Sequence, residues 1–287
     1  MHIVLGGTGH VGSAAARRLI EMGEPVTVVS RDDSQRHHWE QRGAKLAVAD
    51  VFDPAALRDV FRKGKRAFLL NPPADTSTDT DAQEKRSVAA ILEALDGSGL
   101  EQVVAESTMG AQPGERIGDL SVLYGFEQGL RSQPIPANVI RAAYYMSNWD
   151  ASLPMVIKEG RLESMLPADL AIPMVAPEDL GRAAAWLLTG QRGESGIHYV
   201  EGPERYSTND VAAAFSAAIG KPVAVEVIPR DHWEAKYREL GFSEAAAASY
   251  ARMTAVSVDG GFERPTASER GTITLQDYID GLVRRAS

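Results

Sequence analysis

Hydrophobic and polar positions along the first half of the chain predict short buried strands separated by helices. Six runs rich in β-branched and aliphatic residues read as strands: His2 to Leu5, Val26 to Ser30, Lys45 to Asp50, Arg66 to Leu70, Gln102 to Ser107 and Ala137 to Ala142. Two intervening helices carry recognisable ends. One runs from about Val11 to Met22 and stops at Gly23; the next has Asp53 as N-cap and Pro54 at its first position, and stops at Gly64. Strand and helix alternate in this way up to about Ala143, which predicts an α/β class built on a doubly wound parallel sheet with crossover helices.

After Asn148 the alternation breaks down. The pattern predicts a helix from Glu178 to Leu188, a strand from Ile197 to Glu201, a helix from Val211 to Ile219 capped by Ser207 or Thr208, and a strand from Val223 to Ile228. Helical stretches follow at Asp231 to Leu240, Ser243 to Met253 and Leu275 to Arg285. At 287 residues the chain exceeds a typical single core of roughly 100–200 residues, so two unequal units are expected. We place a first domain over residues 1–148 and a smaller α+β lobe over 149–287, with strands of the second free to rejoin the sheet of the first. The polar segment Pro72 to Asp81, PPADTSTDTD, is expected to be a loop after the fourth strand, on the side of such a sheet where ligands bind. No internal repeat is visible, and the Ala-rich patches Ala183 to Ala185 and Ala245 to Ala248 read as helix.

Composition narrows the chemistry. Hydrophobic residues are 44% and charged residues 24% of the chain, the balance of a globular enzyme and not of a disordered segment. A net charge of -9 with no basic cluster beyond Arg62 to Arg66 argues against a nucleic-acid face. No apolar run approaches the ~18 residues of a membrane span, and Ile3 to Leu5 is too short for a signal peptide, so a cytoplasmic protein is expected. The absence of cysteine removes disulfides, thiolate nucleophiles and Cys-ligated metals. The six histidines never form H-E-x-x-H, no G-x-S-x-G occurs, and Thr80 and Arg86 spoil any calcium loop in the acidic segment Asp75, Asp79, Asp81. No metal site is expected.

The informative motif is Gly6-Gly7-Thr8-Gly9-His10-Val11-Gly12. It fits G-x-G-x-x-G from Gly7 and G-x-x-G-x-x-G from Gly6, directly after a strand and opening a helix. Glycine lets the chain turn tightly, brings backbone N–H groups to a pyrophosphate and packs helix against sheet, while the helix N-terminus supplies orphan donors. A dinucleotide is therefore the expected cofactor. Its identity is read at the end of the second strand, where NAD sites place a carboxylate for the ribose 2′-hydroxyl. Here Ser30 and Arg31 stand instead, a pair suited to a 2′-phosphate, which favours NADP(H) over NAD(H); Asp32 and Asp33 keep NAD(H) open. Asp50 and Val51 are candidates to meet the adenine, and Asn71 and Pro72 to skirt the ribose and pyrophosphate.

With the glycine turn, Asp50-Val51-Phe52-Asp53-Pro54, Glu127 to Leu130, Val139-Ile140-Arg141 and PMVAPEDLGRAAAWLL in order, the chain resembles the NmrA-like family over roughly residues 1 to 220. These are atypical short-chain dehydrogenase/reductase relatives, among them NADPH-dependent quinone and triphenylmethane reductases and cofactor-sensing regulators. The resemblance implies a Rossmann domain, a small C-terminal lobe, and a cleft between them for nicotinamide and substrate. It puts Tyr144 beside the nicotinamide and Tyr124, Tyr145, Asn148 and Trp149 at the substrate, where flat side chains suit a flat acceptor; the same aromatics are equally readable as core residues. Ser107 falls where short-chain dehydrogenases place their serine.

One departure is decisive for mechanism. Short-chain dehydrogenases use Tyr-x-x-x-Lys, in which Lys lowers the tyrosine pKa for proton exchange with a carbonyl. Tyr124 is followed four on by Gln128, Tyr144 by Asn148 and Tyr145 by Trp149, and no other tyrosine has the lysine. The Lys or His that many relatives carry four residues before the family Glu is Leu123 here. No catalytic residue is assigned from sequence. The expected function is hydride transfer from NADPH to a quinone-like or conjugated small molecule. The alternative is a non-catalytic NADP(H) sensor acting through a regulatory protein partner. Nucleic acid and membrane are excluded as partners, and oligomeric state is left open.

Overall fold

The computed structural model describes residues 1–190, 195–261 and 265–286. In chain order its elements are β1 (His2–Leu5), α1 (His10–Glu21), β2 (Val26–Ser30), α2 (Arg36–Glu40), β3 (Lys45–Val48), α3 (Pro54–Phe61), β4 (Arg66–Leu69), α4 (Thr80–Leu95), β5 (Gln102–Thr108), α5 (Asp119–Arg131) and β6 (Ala137–Ala142). They continue with β7 (Tyr144–Tyr145), a 3-10 turn over Met146–Ser152, α6 (Leu153–Glu159), β8 (Arg161–Ser164), β9 (Ile172–Val175), α7 (Pro177–Thr189), β10 (Gly196–Glu201), β11 (Arg205–Tyr206), α8 (Thr208–Ile219), β12 (Ala224–Val227), α9 (Trp233–Glu239), α10 (Glu244–Asp259), β13 (Glu269–Arg270) and α11 (Leu275–Ala286).

Strands order as β13-β10-β6-β5-β4-β1-β2-β3, with every neighbouring pair parallel. Chain order reverses between β1 and β4, the switch point of a doubly wound Rossmann sheet. Two small sheets, β11-β9-β7 and β12-β8, build the rest. Strand β10, from the second half of the chain, pairs with β6 from Gly196 beside Asn138 to Val200 beside Ala142.

Packing divides into three apolar clusters. Val4, Val28, Phe68, Val104 and Ile140 cover one sheet face beneath α1 and α7; Ile3, Leu5, Val29, Leu69, Val103 and Val139 cover the other beneath α3, α4 and α5. The alternation follows from the two-residue period of a strand. Helices α1 and α7 approach closely because both present small residues: a Cβ on Gly181 would lie 2.6 Å from that of Ala14. The third cluster, with Met146, Trp149, Leu162, Tyr206, Phe215 and Tyr278, fills the lobe built on the small sheets.

Several boundaries differ from the sequence reading for local reasons. β3 stops at Val48, not Asp50, since the Asp50 carboxylate accepts the Phe52 N–H at 2.9 Å and bends the chain. The loop after β4 gives way to α4 at Thr80 because Asp79 caps that helix through the Ala82 N–H at 3.2 Å. α3 ends at Phe61, ahead of Gly64, and α10 continues past Met253 to Asp259, where Gly260 takes φ 67. Ser207 is the cap of α8, in a capping box with Asp210. Among the described residues no helix is long and apolar enough to cross a membrane.

Candidate functional site

The glycine turn joins β1 to α1 by close backbone approach. Gly6 has φ 70, and the turn is closed by the Gly9 N–H on the Gly6 carbonyl at 3.0 Å. A Cβ on Gly12 would lie 2.3 Å from the Gly6 oxygen, and one on Gly7 would lie 2.6 Å from Val28 Cγ1, so neither position admits a side chain without backbone or strand movement. No side chain caps α1 and its first turn holds no acidic residue, leaving the leading N–H groups of His10, Val11 and Gly12 as orphan donors. Thr8, Gly9 and His10 are exposed above them. The cradle is thus open and donor-rich, with no acidic residue in the first turn of α1, which fits a pyrophosphate. His10 Nε2 also lies 4.0 Å from Asp150 Oδ2.

Arg31 follows β2 immediately, is exposed, and has no hydrogen-bond or ion-pair partner among the described residues. Asp32 closes its own bend, its Oδ1 accepting from the Ser34 N–H at 3.0 Å and hydroxyl at 2.5 Å. The end of β2 thus offers a ligand the Arg31 guanidinium, with Asp32 Oδ1 taken by Ser34. Asp50 is exposed with one oxygen spent on Phe52, and Val51 is buried beneath it. Asn71 is tied to α4 by the Ser87 hydroxyl at 2.6 Å, and Pro72 follows it, half-buried.

Ser107 is buried. Its hydroxyl donates to Glu127 Oε1 at 2.6 Å on the α5 side of the sheet, where Arg141 grips Glu127 through Nε at 2.8 Å and a terminal nitrogen at 2.7 Å. Arg141 donates further to the Tyr199 hydroxyl at 3.1 Å. The family Glu and the strand Arg are thereby a buried structural pair with the serine attached.

The neighbouring residue, Glu106, points the other way. It shares a face with Val104, and Tyr145 donates its hydroxyl to Glu106 Oε1 at 3.0 Å, while Oε2 is buried with no partner. Burial pushes the Glu106 carboxyl up to about 8 against the opposing effect of the Tyr145 hydrogen bond, and burial also raises the Tyr145 phenol well above its ordinary value. A second acidic group lies close by: burial raises Glu84 and Asp119, which are hydrogen-bonded to each other, and both oxygens of Asp81 are buried without a partner. Of these four carboxyls, Glu84, Glu106 and Asp119 escaped the sequence reading, and Asp81 entered it only within the acidic loop segment. The only visible signal was a Glu in the otherwise apolar and small run of β5.

The remaining candidates separate. Tyr144 packs 6.0 Å from Trp149, whose ring is 4% exposed within the third cluster, so Trp149 is a core residue of the small lobe. Asn148 is exposed and Tyr124 half-buried on α5. The cleft side of the loops after β4 and β5 is fastened to α10: Ser243 donates to Thr78 O at 2.6 Å, Gly118 N–H to Ser249 at 3.0 Å, and Arg116 reaches Asp79 at 3.1 Å and Ala245 O at 3.3 Å. Among the described residues no group of three or more His, Asp or Glu is placed to hold a metal ion.

A glycine cradle at the switch point of a doubly wound sheet, with a short-chain dehydrogenase serine position but no Tyr-x-x-x-Lys, defines an atypical member of that broad class. The chain belongs to the NmrA-like family, whose profile matches residues 2–259. It is 25% identical over 247 residues to the NAD(P)H azoreductase of Xenophilus azovorans, covering 86% of this chain and 84% of that protein. It is 26% identical over 286 residues to a nitrogen metabolite regulation-like protein of Gibberella fujikuroi, covering 87% and 83%. In fold it resembles an NADPH-dependent quinone oxidoreductase from Escherichia coli solved with NADPH, at a TM-score of 0.80 and 19% identity over 98% of this chain and 99% of that one.

Proposed function

We propose that the chain binds NADP(H) across the glycine turn and reduces a flat conjugated acceptor of the quinone or azo type by hydride transfer. The observation that carries the cofactor reading is Arg31 at the end of β2, without a hydrogen-bond or ion-pair partner among the described residues, beside an Asp32 whose Oδ1 is held by Ser34. The azoreductase relative, alike over most of both chains, supports a reductase.

In this reading the N–H groups at the start of α1 hold the pyrophosphate, and Arg31 grips the 2′-phosphate in a bidentate, charge-assisted pair. Asp50 and Val51 border the adenine, and the backbone at Asn71 and Pro72 supports the adjoining ribose. Tyr144 and Tyr145 line the end of the cleft beyond β5, with Tyr124 and Asn148 at its rim. Ser107 and Trp149 serve by packing. When bound, the nicotinamide supplies the hydride; the protein fixes its face and excludes water.

The test is NADPH consumption by the purified protein with a panel of quinones and azo dyes. Stoichiometric oxidation above background, with NADPH preferred to NADH, is expected. Tight NADPH binding with no turnover across the panel would shift the case to the second reading. That reading is a cofactor-sensing regulator, favoured by the missing tyrosine–lysine pair and the nitrogen-regulation relative. It requires a protein partner whose affinity changes with NADP(H).

A further inference from the structure

Glu106 lies in register with the glycine turn. Val4 of β1 pairs with Phe68 of β4, and Leu69 of β4 with Ala105 of β5, so Gly6, Leu70 and Glu106 follow on one line across the carboxyl edge of the sheet. The Leu70 side chain is what a Cβ on Gly6 would touch, at 3.1 Å, which confirms that line. At a strand spacing of ~4.8 Å, Glu106 sits about 10 Å from the pyrophosphate cradle. It sits on the side opposite Arg31, since the sheet runs β3-β2-β1-β4-β5. A dinucleotide laid across the switch point with its 2′-phosphate at Arg31 directs its nicotinamide half towards β4 and β5.

At that end stands a carboxyl with 3% exposure, one oxygen hydrogen-bonded by Tyr145 and the other without a partner. A buried unsatisfied oxygen is costly unless the carboxyl is protonated or meets a ligand. We propose that Glu106, positioned by Tyr145, is the proton donor to the reduced acceptor, taking the place of the absent tyrosine–lysine pair. The assignment rests on the reductase reading above.

The step balances as a two-electron reduction. Hydride from the dihydronicotinamide adds to one end of the acceptor's C=O or N=N π system, oxidising the cofactor and placing negative charge on the other end. The Glu106 O–H bond breaks, an O–H or N–H bond forms on the acceptor, and the carboxylate left behind is stabilised by the Tyr145 hydroxyl until solvent returns a proton. The groups around the dyad favour a protonated resting state. Asp119 of α5 acts on Tyr145; Asp119, with Glu84 and Asp81 of α4, also acts on Tyr250 of α10, and no cation is among the charges acting on Glu106 or Tyr145. Burial holds Glu106 up to about 8, which keeps it an acid at neutral pH.

The test uses Glu106→Gln and Tyr145→Phe beside the wild type. In the cofactor-free protein near neutral pH, the infrared carbonyl absorption of protonated carboxyls is expected to include a Glu106 component, identified by its loss in Glu106→Gln beside what Glu84 and Asp119 contribute, and lost in the wild type as pH rises past about 8. With NADPH and a quinone, kcat of Glu106→Gln is expected to fall about 100-fold. NADPH affinity should stay within about twofold and the basic limb of the pH profile should vanish; Tyr145→Phe should fall by about tenfold. Turnover by Glu106→Gln at the wild-type rate and with the wild-type pH profile overturns the assignment while leaving the reductase reading intact. No turnover by the wild type overturns both. If Glu106→Gln does not fold, Tyr145→Phe and the wild-type pH profile decide: turnover by Tyr145→Phe at the wild-type rate, or a flat wild-type profile through pH 8, overturns the proposal.

Discussion

Glu106 and Ser107 are chain neighbours on β5 that serve opposite faces of the sheet: Glu106 accepts from Tyr145 at 3.0 Å, and Ser107 donates to Glu127 at 2.6 Å. The serine is therefore spent on a buried ion pair. Ser107→Ala should cost about 1–3 kcal/mol of stability, read by denaturant unfolding, and leave kcat within about twofold. A large loss of kcat at unchanged stability would put the hydroxyl back into the chemistry.

The same ion pair sets a larger prediction. Glu127 is 1% exposed and both its oxygens are held by Arg141, so Arg141→Met strands a buried charge. A loss of about 3–5 kcal/mol is expected, and the double variant Arg141→Met with Glu127→Leu should recover much of it. Equal loss in single and double variants would contradict the pairing.

Gly12 tests the cradle. Its Cβ would meet the Gly6 carbonyl at 2.3 Å, and neither backbone can yield without reshaping the turn. Gly12→Ala should lose about 1–3 kcal/mol and weaken NADPH binding by more than about tenfold. Binding at wild-type affinity would mean that the cofactor does not depend on this turn.

Stability should fall with rising pH. The folded chain keeps Glu106 protonated up to about 8, whereas the unfolded chain releases that proton near 4.5, so the folded state binds more protons between those values. The contribution is full below about pH 4.5 and declines towards pH 8, by at most about 1.4 kcal/mol per pH unit. Glu84 and Asp119 act in the same direction. Tm should drop from about pH 6 to about pH 8 and drop less in Glu106→Gln. A flat or rising wild-type Tm over that range would contradict the burial argument.

Seven of the eight strands of the large sheet were legible because they are runs of β-branched and aliphatic residues bounded by strong caps such as Asp53 with Pro54; the two-residue β13, Glu269–Arg270, was not. β7, β9 and β11 were not legible: stretches such as Tyr144–Tyr145 and Arg205–Tyr206 are two residues long and are strands only through their neighbours. At the site, sequence could find the glycine turn, where spacing is itself the chemistry. It could not tell Ser107 from Glu106, because which sheet face each of two adjacent residues serves depends on strand register, nor see that Asp32 turns back onto Ser34. The Glu106–Tyr145 contact joins residues 39 apart in the chain and leaves no local pattern.

The most direct measurement is titration of wild type and Arg31→Ala with NADPH and with NADH, followed by cofactor fluorescence. The account predicts that the wild type prefers NADPH. Arg31→Ala should lose about 10–100-fold in NADPH affinity with NADH affinity unchanged, as removal of one charge-assisted bidentate contact requires. Equal affinity of the wild type for both cofactors, or a preference untouched by Arg31→Ala, would contradict it.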